Sequence, residues 1–298
     1  MYIIPPMAVN DAVLVSSNVV EDDAPVYSAA TTYAEGDTVI FEHSVYESLV
    51  DGNVGQNPPT VSTSWLRLGA TNLYKAFDQH LTDRVVNAGS ITYTIAHNGE
   101  FVSALAVFGL AGSTLEVETV DPDAGTVFSE TYTLLDETGV VDWSTYFFSP
   151  IGVQRQEVIE IEIPPYLNAE TTITVTGISG SAELGQIVIG RLLDIGVATY
   201  GVGLSLKDYS RKERDAFGNA IIVERAFAQN VDYPVVFPTN ATRRLQNTLA
   251  AYRAKPVVWI GDTDESLGTI VYGYFNRFDI LLPSPTISEA TIEVEGLT

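Results

Sequence analysis

Between residues 240 and 254 the apolar positions Leu245, Leu249 and Tyr252 recur at helical spacing, while Arg243, Arg244 and Arg253 can reach solvent. This pattern predicts one amphipathic helix, ended by Lys255-Pro256, because proline has no amide donor and restricts the residue before it. Two strand-like runs follow, 257–260 and 269–278, and the chain closes on the alternating apolar positions Ile287, Ala290, Ile292 and Val294. Upstream the periodicity is that of strands. Residues 91–95 (ITYTI) alternate cleanly, and further short runs occupy 101–108, 113–119, 126–135, 156–163 and 171–175. Gly109, Gly112 and other turn residues separate them, with no helical period between, which predicts a β-sandwich.

These patterns divide the chain into four stretches. Residues 1–28 are an apolar lead-in (Tyr2, Ile3, Ile4, Pro5-Pro6, then Val13, Leu14 and Val15), expected to supply a strand or arm to another domain or subunit. Residues 29–70 hold several aromatics and glycines, as in a two- or three-stranded sheet folded about Trp65. Residues 71–195 are the expected sandwich, and 196–298 an α+β domain with the single helix. The expected fold class is mainly β.

Charge sharpens this division. The chain's net charge is −23, and the first 195 residues hold 26 of its 38 acidic side chains but only 5 of its 15 basic ones. Such a surface suits solvation, or else a divalent ion or a basic partner. It lacks the basic stripe that phosphate binding needs, so nucleic acid is not an expected partner. The balanced remainder is better suited to close protein contacts, since repeated copies of a strongly acidic surface repel. With no cysteine, disulfides, thiolate nucleophiles and cysteine-ligated metals are excluded. No apolar run approaches 18 residues, so no transmembrane helix is expected, and the first residues lack the basic segment of a signal peptide.

Candidate chemistry is sparse. His80 and His97 have no carboxylate at a motif spacing, and Asp121-Pro122-Asp123 reads as a structural turn rather than a calcium loop. There is no nucleophile elbow, zinc-protease motif, phosphate loop or dinucleotide glycine motif. Carboxylate pairs of the kind glycosidases use will arise by chance among 38 acids, so their abundance argues nothing. The expectation is a protein without catalytic residues, metal or cofactor.

Three resemblances extend this reading. Tyr33, Gly36, Val39, Tyr46, Pro58 and Trp65 together resemble a small chitin-binding-type carbohydrate-binding module. The resemblance implies that Tyr33, Tyr46 and Trp65 either stack on sugar or form the module's own core. Glu47, Ser48 and Leu49 stand where sugar-binding members carry exposed aromatics, which favours the core. The stretch NLYKAFDQHLTDRVVNAGSITYTI, from Asn72, resembles the opening of galactose-binding-like jelly rolls of phage tail proteins. Beyond residue 198, Asp208-Tyr209-Ser210, Pro256-Val257-Val258-Trp259 and Tyr272-Gly273 resemble virion structural proteins at the distal tail or baseplate of long-tailed bacteriophages.

That last resemblance implies a non-enzymatic virion component, made in the host cytoplasm and located at the tail tip or baseplate. Its partners would be copies of itself in a closed ring of three- or six-fold order, and tail tube, hub or fibre proteins. A host-surface glycan joins them if the small module binds sugar. Assembly-contact candidates are Tyr209, Arg211, Arg214, Trp259, Tyr272 and Tyr274, although the apolar run around Trp259 favours a place in its own domain's core. A glycan-binding tail adhesin is the alternative function, and a polysaccharide-degrading enzyme a more distant one.

Overall fold

Alternation of inward and outward side chains builds this chain into a stack of antiparallel sheets. The structure, a computed structural model, describes residues 1–135, 143–144, 155–214, 217–264 and 267–297. The lead-in forms β1 (Tyr2–Ile4), which precedes Pro5-Pro6, and β2 (Leu14–Ser17). The small module contains β3 (Thr38–Phe41), β4 (Ser44–Ser48) and β5 (Trp65–Ala70), joined as one three-stranded sheet. Next come β6 (Val85–Ala96), β7 (Ala104–Phe108), β8 (Thr114–Asp121), β9 (Gly125–Thr133), β10 (Glu157–Glu160), β11 (Glu170–Leu184) and β12 (Gln186–Gly190). The last third contains β13 (Leu193–Asp194), β14 (Val197–Ala198), β15 (Gly203–Asp208), β16 (Arg211–Arg214), β17 (Ala220–Val223) and β18 (Phe227–Pro238). Helix α1 (Thr242–Ala251) then leads to β19 (Val257–Ile260), β20 (Ile270–Leu281) and β21 (Ile287–Gly296).

Two sheets enclose the first core. One is five-stranded, ordered β2-β6-β11-β8-β9, and the other three-stranded, ordered β10-β7-β12. From the small sheet, Leu105, Val107, Ile187 and Ile189 point into this core, against Ile91, Tyr93, Leu115 and Ile173 of the large one. The intervening residues of the small sheet, Ala104, Ala106, Phe108 and Val188, point the other way. They meet Ile4, Val258, Ile260, Ile270 and Tyr272, which belong to an eight-stranded sheet. The small sheet is therefore buried on both faces, which is why β7 (ALAVF) reads as an unbroken apolar run rather than an alternating one.

The eight-stranded sheet has the order β13-β1-β19-β20-β21-β18-β14, with β15 also paired to β18. Its far face carries Ile3, Val231, Tyr233, Val235 and Trp259, closed over by Leu245 and Leu249 of α1. Strand β1 sits between β13 and β19, with Ile3 facing the helix-side core and Ile4 the core under the small sheet. The lead-in thus stitches two bodies together, since β2 pairs with β6 in the five-stranded sheet.

The helix is shorter than its apolar pattern implies. It ends at Ala251, and Lys255 N–H bonds back to the Tyr252 carbonyl, with Ala254 at φ 56°. This left-handed turn reverses the chain, so Pro256 leads into β19 rather than ending the helix. In β21 the inward parity is set by Ser288, Ala290, Ile292 and Val294, leaving Ile287 half exposed, one residue out of phase. Between β20 and β21 the backbones approach so closely that a Cβ on Gly273 would lie 2.1 Å from the Glu295 carbonyl oxygen.

Candidate functional site

The feature that stands apart from the stacked sheets is a two-stranded arm. β15 pairs with β18 from Gly203↔Asp232 to Asp208↔Phe227, whereas β18 pairs with β21 only from Asn230 onward. Past Asn230 the two strands therefore leave the sheet as a ribbon. Tyr209 N–H to Ala226 O (3.2 Å) and Arg225 N–H to Ser210 Oγ (3.1 Å) continue it into β16 and β17, which pair from Arg211↔Val223 to Arg214↔Ala220. At ~3.3 Å per residue the free ribbon from Leu206 to Arg214 is about 25–30 Å long. Every residue of β15, β16 and β17 is exposed.

Its root is fixed by one carboxylate. Glu295 of β21, itself buried, accepts hydrogen bonds from Lys207 Nζ (2.8 Å), Tyr209 Oη (2.7 Å) and Asn276 Nδ2 (2.9 Å). The Lys207 bond, then those of Tyr209 and Asn276, hold its carboxyl well below the usual carboxylate range, at about 2. A depressed carboxylate stabilises the fold above its unfolded pKa of about 4.3 and loses that contribution as pH falls toward the folded value. Glu295→Gln is therefore expected to loosen the arm near neutral pH, seen as faster tryptic cleavage at the arm's arginines. In the unsubstituted chain, protection of the arm's amides, corrected for the intrinsic exchange rate, should fall as pH drops from about 4 toward about 2. Unchanged cleavage in the variant would show that the root is held by other contacts.

Of the expected assembly residues, the structure brings only three to this arm. Arg211 and Arg214 lie on β16, with Arg211 Nε 2.6 Å from Glu213 Oε1 and Arg214 Nη1 donating to Gly218 O (3.1 Å). Tyr209 is at the root, its hydroxyl committed to Glu295. Tyr274 is half-buried in β20. The other two are interior. Trp259 is fully buried, its indole N–H donating to Gly273 O (3.0 Å), and Tyr272 is 2% exposed and stacked on Phe108 at 5.8 Å. A contact with another subunit through either would require this chain's own core to open.

The small module's three aromatics are also interior. Tyr33, Tyr46 and Trp65 form one buried cluster with Val39, and Trp65 presents its edge to Tyr33 at 5.3 Å. Trp65 Nε1–H donates to Gln56 O at 2.9 Å. These faces are occupied by one another and offer no platform to a sugar ring.

The histidines divide differently from their sequence spacing. His97 is buried between the Tyr166 carbonyl (2.7 Å) and Thr171 Oγ1 (2.9 Å), and burial lowers its pKa, so it is a neutral structural residue. His80 is exposed. Asp121 Oδ1 accepts from the amides of Asp123 and Ala124, closing the β8–β9 turn. Among the described residues no cluster of histidine and acidic side chains is arranged to hold a metal.

The histidine that does gather carboxylates is His43. It forms the β3–β4 turn with Glu42, both at positive φ (59° and 45°), and its ring stacks on Tyr74 at 3.9 Å. Nδ1 lies 3.0 Å from Glu21 Oε1 and Nε2 2.9 Å from Asp11 Oδ1. Only an imidazolium donates to both. Burial disfavours that charge, but the bonds to Glu21 and Asp11 outweigh it and raise the pKa above the ordinary value. Thr71 Oγ1 donates to Glu21 (2.7 Å) and Tyr74 Oη to Asp11 (2.5 Å), completing a clamp between module, lead-in and body. Its carboxylates come from the lead-in, far from His43 in sequence, which is why no motif betrays it.

A raised histidine contributes stability fully below its unfolded pKa of about 6.5, and loses it as pH rises through the folded pKa. Hydrogen exchange of the module's amides is therefore expected to accelerate beyond the intrinsic rate as pH rises above about 6.5, and His43→Gln should abolish that excess. Equal excess in both chains would remove His43 from the clamp.

Compared with known proteins, the chain matches no family model, no curated protein and no solved structure.

Proposed function

We propose that the chain is a non-enzymatic structural component of a bacteriophage tail tip or baseplate, making its subunit contacts mainly through the C-terminal region. The observation that carries this reading is the arm. A two-stranded ribbon lacking a packed third layer is marginally stable in water, and exposed apolar side chains on such a ribbon are a liability unless a partner covers them. Leu206, Phe217 and Ile222 are 70%, 91% and 67% exposed. The resemblance of the segments around Tyr209, Trp259 and Tyr272 to distal tail proteins gives the partner class: copies of this chain and neighbouring tail tube, hub or fibre proteins. In this reading residues 71–195 are a galactose-binding-like jelly-roll sandwich, and the small module is carbohydrate-binding-like in fold with its aromatics spent on its own core. The acidic first two-thirds face outward from the tail axis.

Charge reversal at Arg211 and Arg214 together tests it. Both side chains are exposed, so the isolated double variant should melt like the parent, while its incorporation into tails falls. Normal incorporation of the double variant would reject the arm as the assembly contact.

A further inference from the structure

We infer that the small module is a hinged lobe latched to the rest of the chain by the protonated side chain of His43, so that loss of one proton releases it. This is independent of the assembly role proposed above. It follows first from how little else fastens the module. Among the described residues, every hydrogen bond and ion pair between residues 25–70 and the rest of the chain passes through His43. Its ring reaches Asp11 and Glu21, and its carbonyl oxygen accepts from Thr71 N–H at 3.0 Å. The apolar fastening is equally thin. No other strand joins the sheet of β3, β4 and β5, and the core of Tyr33, Val39, Tyr46 and Trp65 shares no residue with the three other cores. The chain enters and leaves the module at neighbouring points, since Asn72 N–H donates to Asp23 Oδ2 at 2.9 Å. A few linker residues at one place are what a hinge needs.

The latch holds in only one protonation state. An imidazolium has two N–H donors and satisfies both carboxylates at once, Glu21 Oε1 from Nδ1 at 3.0 Å and Asp11 Oδ1 from Nε2 at 2.9 Å. A neutral imidazole has one donor. The other nitrogen then turns a lone pair toward a carboxylate oxygen, so an attraction becomes a repulsion rather than merely vanishing. Asp11, Glu21 and Tyr74 are the titratable groups against the ring, and His43 is the only cation paired with either carboxylate among the described residues. Tyr74 and Thr71, which bond to the same carboxylates through their hydroxyls, stand outside the module. The latch is therefore closed below the ordinary histidine pKa and opens as pH rises through the raised one. Because the module's core is its own, release changes its position rather than its fold.

Distances between spin labels on the full-length chain test this, with no native cysteine to interfere. Val54→Cys on the module and Val120→Cys at the end of β8 are both exposed sites. At about pH 5 the distribution of distances between them should be narrow. It should broaden as pH rises, with a midpoint above about 6.5 and below about 10, where ordinary tyrosines titrate. Asp11→Asn and Glu21→Gln each leave His43 one carboxylate, and each should lower the midpoint by about one pH unit. A ring that served only as packing would leave the midpoint where it was. His43→Gln should give the broad distribution at every pH. Two controls separate swinging from unfolding: a body pair, Val86→Cys with Val120→Cys, should stay narrow, and the ring-shifted methyl resonances of Val39 inside the aromatic cluster should persist. A module-to-body distribution unchanged from about pH 5 to about pH 10 overturns the latch. So does a midpoint that neither carboxylate variant moves, or loss of the Val39 resonances as the distribution broadens.

Discussion

Replacing Trp259 with alanine is expected to remove about 3–5 kcal/mol from the stability of the body, the cost of emptying a fully buried indole site. Trp259 lies in β19 at the centre of the eight-stranded sheet, opposite Val271 of β20 and Ile3 of β1. Its ring meets Phe275 edge-on at 6.0 Å and belongs to the core closed by Leu245 and Leu249. Alanine also leaves the Gly273 carbonyl without its indole donor, and a buried acceptor that loses its partner adds to the loss. Urea denaturation of the isolated chain, with an unchanged slope, reads the effect. Trp259→Phe should restore much of it, because most of the apolar volume returns. A loss below about 1 kcal/mol for the alanine variant would mean that the indole is not the keystone of this core.

The second large effect belongs to the small module. Trp65→Ala should cost about 3–5 kcal/mol locally, which exceeds what a module of roughly forty residues with no disulfide usually holds in reserve. Trp65 is 3% exposed, donates to Gln56 O, and packs its edge on Tyr27 and Tyr33. The expected outcome is loss of exchange protection across β3, β4 and β5 while β6, β11 and the eight-stranded sheet keep theirs. A sugar platform would behave oppositely: the variant would stay folded and lose glycan retention that the parent shows. A parent retained on a glycan array, alongside a folded W65A that is not retained, contradicts the interior assignment.

Much of this architecture is written in local periodicity. The run 257–260 is β19 to the residue, and the alternation at 91–95 lies within β6. Leu245 and Leu249 are the buried pair of α1, as their spacing implies. Other elements are invisible to local pattern. β11 extends to Leu184, but a register shift between Thr176 and Ser181 breaks its alternation, so only 171–175 stands out. β12 (QIVIG) is buried on both faces and gives a continuous apolar run without period.

The candidate site was legible only in outline. Arg211 and Arg214 sit in a polar run that invites projection from a sheet, and the structure places them on an exposed ribbon. Aromatic character alone does not separate interface from core at Trp259 and Tyr272, because both draw on the same large residues; the apolar run around Trp259 already favours the core. The apolar residues of β17 carry no such signal. Ala-Ile-Ile-Val reads as any buried strand, and only the absence of a covering layer marks it as a surface. Likewise His43, Asp11 and Glu21 meet only through the packing of the lead-in against the module.

The most direct measurement of the proposed tail role is a density map of phage tail particles produced in cells that express this chain. The account predicts several copies arranged about the tail axis, with residues 203–232 of each seated on another polypeptide and the acidic sheets turned outward. Particles that lack the chain, or copies whose arms stand in bulk solvent, would contradict it.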